Sequence, residues 1–475
     1  MSLFGWYRSA PPASRRALVA ASIGWMLDAF DVMLYALVLA YLMKDLGMSK
    51  PTAGLLGSLT LLASAAGGVT FGLIADRKGR TWALRASVLI YSIFTAACGL
   101  ATTVPMLAVF RVCLGLGMGG EWASGAALVS ETWPAEHRGK ALGFVQSFWA
   151  VGYAAAALVT AVVYPRLGWR AVFFIGVLPA LLVFWVRARV EEPAIWRAEM
   201  TRRKTAGGTA PKAPPGWLLV EAVVIIVVEA VYVIFRAAVD PRFNNGLKKN
   251  LLTLIAILSV LDIFYLLLRW EYKKRIRAVV RGRLLSVTAA VTVMNAFTMF
   301  AYWGLNLWIP GYLSLARDQG GIGLTPRSMP LLIAVMQVGT WLGYLVFGYA
   351  SDIFGRKKTY LAFLVTAAVL VLAYASTSGP LLLLLLGPFV AFFGTGYFAG
   401  FGALTAELYP TQIRATLQGF TYNIGRVASA VAPLAIGSLA ETGGFGTAFL
   451  TVAAAFGLAA VMWLAIPETK GRALT

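Results

Sequence analysis

Apolar runs of about twenty residues recur along the whole of this 475-residue chain. A helix needs about 20 apolar residues to cross the roughly 30 Å hydrocarbon layer of a bilayer. Lipid offers the backbone no hydrogen bonds, so only helices and closed barrels can span it. A barrel would show alternating segments of about ten residues, and this chain has none. With 59% hydrophobic and 13% charged residues, the chain reads as an all-α membrane protein of many spans.

The net charge of +21 might point to a nucleic-acid partner, but its distribution argues against one. With the amino terminus placed in the cytoplasm, roughly 29 of the 41 Lys and Arg fall in cytoplasmic segments, about 9 outside and about 3 within spans. That asymmetry is a topology signal. It puts both termini in the cytoplasm, excludes nucleic acid as the reason for the charge, and suits contact with anionic lipid. Cys98 and Cys113 lie in apolar runs and suggest neither a disulfide framework nor a metal site. His137 sits in a loop among charges and reads as a solvated residue. The first apolar run continues past leader length into a full span. No nucleotide-binding Gly-rich loop, metal cluster or nucleophile motif suggests an enzyme.

A repeat organises the chain. "GLIADRKGRT" begins at Gly72 and "GYASDIFGRK" at Gly348, while "ETWPAEHRGKALG" begins at Glu131 and "ELYPTQIRATLQG" at Glu407. Both pairs are offset by 276 residues, which also maps Gly168 onto Gly444, Phe173 onto Phe449 and Glu192 onto Glu468. The chain therefore contains two similar halves, 1–200 and 284–475. Six spans are expected in the first, near 17–43, 52–75, 83–101, 104–131, 140–165 and 171–190. Six more are expected in the second, near 284–315, 326–350, 359–376, 379–407, 414–439 and 445–466. Two parallel halves rocking about a midplane site form an alternating-access architecture.

Residues 201–283 have no counterpart in either half. A Lys-, Arg-, Gly- and Pro-rich linker precedes "WLLVEAVVIIVVEAVYVIF" (217–235) and "LLTLIAILSVLDIFYLLLRW" (251–270), joined by the turn-forming "DPRFNNGLKKN". This predicts an inserted helical hairpin and about fourteen spans in all. Glu229 and Asp262 lie at similar depth in it, each followed seven residues later by Arg236 or Arg269. A polar stripe packed against neighbouring helices is the expected reading, with a second ion path as the alternative.

Several charges fall inside spans, where they are costly. Asp28 and Glu121 each lie about twelve residues from the cytoplasmic end of their helix, as does Arg426 in "TYNIGR", or roughly 18 Å at 1.5 Å per residue. Asp28 and Asp31 share a helix face, and neighbouring buried carboxylates raise each other's proton affinity. Asp28, Asp31 and Glu121 are therefore candidates for proton coupling. The alternative is a set of fixed ion pairs with Arg111 or Arg426. Glycines 115, 117, 119 and 120 on the fourth helix suit close helix packing.

The loop "GLIADRKGR", with its weaker copy in the second half, resembles the signature loop of the major facilitator superfamily. "RVCLGLGMGGEW" resembles that superfamily's fourth-helix motif, and "PETKG" (467–471) the closing motif common in its sugar porters. The resemblance covers both halves but not the hairpin. It implies the superfamily fold and a loop that latches the halves when the cavity faces outward, with Asp76, Arg77, Gly79 and Arg80 in the first copy and Asp352 and Arg356 in the second. Asp76 is also suited to capping the next helix.

"DAFD" on the first helix is similar to the "DGFD" pattern of aromatic-acid/proton symporters, with Ala29 in place of the glycine. "GWMLDAFD", "GMGGEW", "GWRAVFFIGVLPA" and "GFTYNIG" also resemble bacterial sialic-acid/proton symporters, some of which carry two extra central helices. Both groups carry organic carboxylates, which implies a cationic ligand: Arg426 first, through bidentate binding, and Arg111 second, unless it neutralises Asp31. Asn295, Asn306, Gln146, Gln337 and Asn423 are candidates to bind hydroxyls or to bridge helices. Tyr302, Trp303, Tyr397 and Tyr422 would line a ring surface or serve as packing. The resulting expectation is a monomeric, proton-coupled importer of a small organic anion in a bacterial inner membrane, without a cofactor other than the proton. A sugar or polyol carrier, favoured by "PETKG", is the alternative, followed by an exporter and by a membrane sensor that uses the hairpin to bind a partner.

Overall fold

A computed structural model describes residues 5–133, 135–178, 180–205, 283–409 and 414–470. The expected hairpin, with Glu229, Arg236, Asp262 and Arg269, lies outside the described residues. Every described element is helical. After the single turn α1 (Gly5–Arg8), the first half comprises α2 (Pro12–Leu46), α3 (Lys50–Lys78), α4 (Arg80–Cys98), α5 (Val104–Thr132), α6 (Ala135–Ile175), α7 (Ala180–Arg189) and α8 (Ala194–Thr205). The second half comprises α9 (Arg283–Ser314), α10 (Ser328–Phe354), α11 (Arg356–Ala375), α12 (Pro380–Gly396), α13 (Phe398–Leu408), α14 (Arg414–Ser429), α15 (Val431–Thr442) and α16 (Gly444–Met462).

Eleven described helical stretches are long and apolar enough to cross a membrane. One of them, Lys140–Val183, has 44 residues and would measure about 66 Å if straight, twice the hydrocarbon thickness. It reverses at Gly168, whose φ of 75° suits glycine. Before the reversal, Tyr164 stacks on Tyr41, with ring centres 4.0 Å apart. Just after it, Arg170 pairs with Asp45 at 3.0 Å, close to the end of α2. At the far end of α7, the Arg189 carbonyl accepts a hydrogen bond from Arg16, near the start of α2. The stretch therefore goes out and comes back, which accounts for both of the expected spans there.

Two expected spans are divided. The eleventh breaks at Ala430 between α14 and α15. Pro433, just beyond, has no N–H to donate and its ring crowds the carbonyl of Ser429. The tenth breaks at Tyr397, after Gly394 and Gly396, which weaken helix there.

The repeat is visible atom by atom. Gly67 on α3 packs against the Leu116 carbonyl of α5, and Gly343 on α10 packs the same way against the Phe392 carbonyl of α12. Both members of the second pair lie 276 residues after those of the first. A side chain at either glycine would collide with backbone, so small residues here set the helix spacing. The halves meet where α3 begins: Gly54 abuts the Pro433 carbonyl, Leu434 N–H donates to Ser58 Oγ at 3.2 Å, and Lys50 pairs with Glu441 at 3.5 Å.

Candidate functional site

Asp28, Asp31, Glu121 and Arg111 are each 1% exposed and Arg426 is 4% exposed, so water cannot offset their charges. Asp28 on α2 and Glu121 on α5 interact electrostatically with each other and with Arg426 on α14. Tyr422, one turn before Arg426, joins the same group. Two carboxylates from the first half thus face one guanidinium from the second. Asp28 Oδ2 and Glu121 Oε2 have no hydrogen-bond partner among the described residues. Gly24, one turn before Asp28, leaves the space into which Glu121 reaches.

Asp31 lies one turn further along α2, where its Oδ2 accepts a hydrogen bond from the Thr95 hydroxyl at 3.1 Å. Arg111 does not neutralise it by an ion pair among the described residues. Its guanidinium instead lies 4.1 Å from the centre of the Tyr35 ring, and Tyr35 donates its hydroxyl hydrogen to the Ala53 carbonyl at 2.8 Å. The second cation candidate therefore sits apart from the Asp28–Glu121–Arg426 group.

The polar candidates divide. Asn295 Nδ2 donates to the Thr421 carbonyl at 2.9 Å, and Gly425 gives it room, so this amide joins α9 to α14. Asn306 Nδ2 donates to the Tyr302 carbonyl at 3.0 Å, and the Asn306 carbonyl accepts from Tyr153 of the first half at 3.3 Å. The Tyr397 hydroxyl donates to the Thr298 carbonyl at 3.0 Å. Gln337 is buried on α10, and Asn423 is half-buried on α14.

An aromatic series extends beyond Tyr302 and Trp303 into the first half. Trp25 lies 4.6 Å from Trp122 and 4.8 Å from Trp149 between ring centres. Trp149 meets Trp303 of the second half edge-on at 6.1 Å, Trp303 meets Tyr302 at 5.4 Å, and Tyr302 meets Phe398 at 5.2 Å. The wall starts beside Glu121 and crosses between the halves. Trp25, Trp122 and Trp149 carry no distinctive spacing in the sequence. Trp25 and Trp122 nevertheless stand within a turn of charges that the sequence already singled out.

The loops repeat as well. Arg80 binds Glu131 at 2.8 Å and Arg356 binds Glu407 at 2.8 Å, while Arg356 also pairs with Asp352. Glu192 accepts hydrogen bonds from the N–H groups of Arg80 and Thr81 at 2.7 and 3.0 Å. Glu468 accepts from those of Arg356 and Lys357 at 2.9 and 3.0 Å. Each glutamate caps the helix that follows a glycine of positive φ, Gly79 at 111° and Gly355 at 99°. The described cap of α4 is therefore Glu192. The side chains of Asp76 and Arg77 lie outside the described residues. Burial pushes the Glu468 carboxyl up, but N–H bonds from Lys470, Arg356, Lys357 and Thr469 outweigh it and hold it below the usual glutamate value. The 276-residue offset, applied to Glu131 and Glu192, was the signal that could have named all four glutamates.

Among the described residues, two sets of helical crossings joined around buried charges have the architecture of a membrane transporter. The chain matches the model of the Major Facilitator Superfamily over residues 21–320 and 289–475, and it belongs to that family. A Haemophilus influenzae chain is 31% identical over 461 residues, 97% of each chain. The cis,cis-muconate transport protein of Acinetobacter baylyi is 27% identical, covering 94% of this chain and 92% of its own. The sialic acid transporter of Escherichia coli is 26% identical, covering 95% and 93%. The inward-open, partially occluded xylose transporter of Escherichia coli superposes with a TM-score of 0.69 at 18% identity, covering 98% of this chain and all of its own; that likeness concerns the fold. The family and these named relatives are transporters rather than enzymes.

Proposed function

We propose that this chain is a proton-coupled importer of a small organic carboxylate, working by alternating access as a monomer in a bacterial inner membrane, with both termini in the cytoplasm. The observation that carries the reading is the placement of Asp28 and Glu121, from one half, against Arg426 of the other. One guanidinium balances one carboxylate. The second buried acid needs a proton, or the substrate needs to displace it from Arg426. A proton and an anionic substrate entering together keep the site balanced: the acid is neutralised and Arg426 is free to bind the substrate carboxylate in bidentate fashion. Release reverses the exchange on the alkaline side. The muconate and sialic acid named for the relatives are both carboxylates, which supports the class.

"PETKG" gives the sugar alternative little support. Its Glu468 caps α11, and Glu192 does the same for α4 in the first half. Helix capping accounts for the glutamate of the motif without a sugar ligand.

Uptake into proteoliposomes with an imposed inside-alkaline gradient tests the proposal, with muconate, sialic acid, benzoate and a neutral hexose compared side by side. Gradient-stimulated accumulation of a carboxylate is expected. Hexose movement indifferent to the gradient would refute it.

A further inference from the structure

Buried polar atoms without a hydrogen-bond partner recur in the first half, among them the hydroxyls of Ser22, Tyr91, Ser92 and Ser124 and the ring N–H groups of Trp25 and Trp149. The three buried acids there each have one free oxygen as well: Asp28 Oδ2, Asp31 Oδ1 and Glu121 Oε2. Tyr91 is set apart by its neighbours rather than by the missing partner. It interacts electrostatically with all three acids at once, on a side chain that is 0% exposed. Two close contacts place it there. On α5, a β-carbon on Gly117, one turn before Glu121, would lie 2.7 Å from the Tyr91 nitrogen. On α2, Asp31 meets Thr95 of α4 at 3.1 Å. The two helices run the same way, because α3 reverses between them, so one turn back along each brings Tyr91 level with Asp28. Thr95 also suits Asp31 in both of its protonation states. Its hydroxyl has one hydrogen and two oxygen neighbours, Asp31 Oδ2 and the Tyr91 carbonyl at 2.8 Å. A charged Asp31 takes that hydrogen. A protonated Asp31 donates to Thr95 Oγ1 instead, and the Thr95 hydrogen turns to the carbonyl.

Resting on the proton-coupled reading above, we infer that the Tyr91 hydroxyl relays the coupling proton between Asp31 and the Asp28–Glu121 pair, along a path inside the first half. One hydroxyl hydrogen stands among three acids with free oxygens and can serve one at a time. In the relay, protonated Asp31 gives its hydrogen to Tyr91 Oη as that hydroxyl passes its own to a carboxylate oxygen of Asp28 or Glu121. One O–H bond breaks and one forms at each transfer, the phenol stays neutral, and rotation of its hydroxyl resets it. Asp31 is left as a carboxylate and takes the Thr95 hydrogen. No acid oxygen lies within bonding distance of the hydroxyl in this conformation, so the relay closes only when the acid side chains turn. Arg426 reaches Asp28 and Glu121 from the other half. The substrate carboxylate and the proton therefore approach the same two acids from different sides. Chains of ionisable groups inside membrane helices mark proton paths.

The test compares two readouts on the full chain, with muconate, sialic acid and benzoate as probes. One is the initial rate of uptake into proteoliposomes under an inside-alkaline gradient. The other is binding of the same probes to the detergent-solubilised protein, which does not depend on proton movement. Tyr91→Phe keeps the ring and deletes a hydroxyl that bonds nothing here, so the fold loses no hydrogen bond. A positioned proton-transfer group contributes about 100- to 10,000-fold, and water can carry part of the traffic, so gradient-driven uptake is expected to fall at least about tenfold while probe binding holds. Thr95→Val, which takes the hydrogen bond from Asp31, is expected to slow uptake in the same way and keeps the proposal falsifiable if Tyr91→Phe does not fold. Ser92→Ala removes the partnerless hydroxyl of the next residue and is expected to transport as the wild type does. An unchanged rate in Tyr91→Phe or Thr95→Val would overturn the relay and leave proton coupling standing. An equal loss in Ser92→Ala, or a loss of probe binding in Tyr91→Phe, would overturn it too, by assigning the effect to packing. If the gradient drives none of the probes into wild-type vesicles, the proton-coupled reading falls and the relay falls with it.

Discussion

Gly24 and Glu121 meet across the α2–α5 interface so closely that a β-carbon on Gly24 would lie 2.5 Å from Glu121 Oε1. The glycine is therefore part of the proposed coupling site, although it carries no polar atom. Gly24→Val is expected to push the carboxylate away from Asp28 and Arg426. Because displacements of about 1 Å at a reacting centre cost up to about a hundredfold, transport should fall by at least tenfold. The carboxylate is the mobile end of its side chain, so the thermal midpoint should change little. A matching collapse of the midpoint would show that Gly24 is a packing residue only.

Substitution of Asp28 is expected to separate coupling from transport. Asp28→Asn removes one negative charge but keeps the shape of the side chain. Gradient-driven accumulation should disappear, while exchange of labelled for unlabelled substrate across the membrane continues. The two assays on the same proteoliposomes decide the matter. Loss of exchange as well would place Asp28 in substrate binding or folding.

Arg426→Ala has two expected consequences. A charge-assisted hydrogen bond contributes about 1.5–3 kcal/mol, so carboxylate affinity should drop by about 10- to 100-fold. The variant also leaves Asp28 and Glu121 without their shared cation, which should lower the thermal midpoint. Adding Asp28→Asn to Arg426→Ala should restore part of that stability without restoring affinity. A double mutant less stable than the single one would contradict the shared-charge account.

The described crossings were legible because apolar run length translates directly into span length. The halves were legible because one numerical offset linked loops, glycines and acids. The depth of Asp28, Glu121 and Arg426 could be counted along each helix. Their meeting could not, since it depends on how α2, α5 and α14 pack. The same limit hid the aromatic series: Trp25, Trp122 and Trp149 lie on different helices, and nothing periodic links them. Asn295 illustrates the opposite case. Its residue type favours a helix bridge over a ligand contact, and its bond to the Thr421 carbonyl beside Gly425 is such a bridge. Proline and glycine positions were visible, but the breaks at Ala430 and Tyr397 depended on which of them actually interrupt a helix.

Glu468 offers a pH test outside the membrane region. Its folded-state value lies below the ordinary 4.5. The sign follows: its stabilising contribution is present above that ordinary value and is lost as pH falls through the folded one. Glu468→Gln resembles the protonated side chain. The midpoint difference between wild type and this variant should therefore be largest near about pH 7 and vanish towards about pH 3. A difference that persists at low pH would assign the effect to packing rather than charge.

Lys50 and Glu441 pair across the two halves at 3.5 Å, at the end of α3 remote from the Gly79 loop. Lys50 also donates to the Ala440 carbonyl at 3.4 Å. Its side chain is mostly buried whereas that of Glu441 is 44% exposed, so the pair should contribute only about 0.2–1 kcal/mol. That is enough to shift a two-state equilibrium a few-fold, and breaking it should favour separation of the halves at this end. Lys50→Glu alone should increase labelling of a cysteine introduced nearby on α15, and Lys50→Glu with Glu441→Lys should bring it back towards the wild-type level. A disulfide between Lys50→Cys and Glu441→Cys should arrest transport until it is reduced. If the cross-linked protein transports at full rate, the halves need not part here, and the alternating-access cycle proposed for this chain fails at its first step.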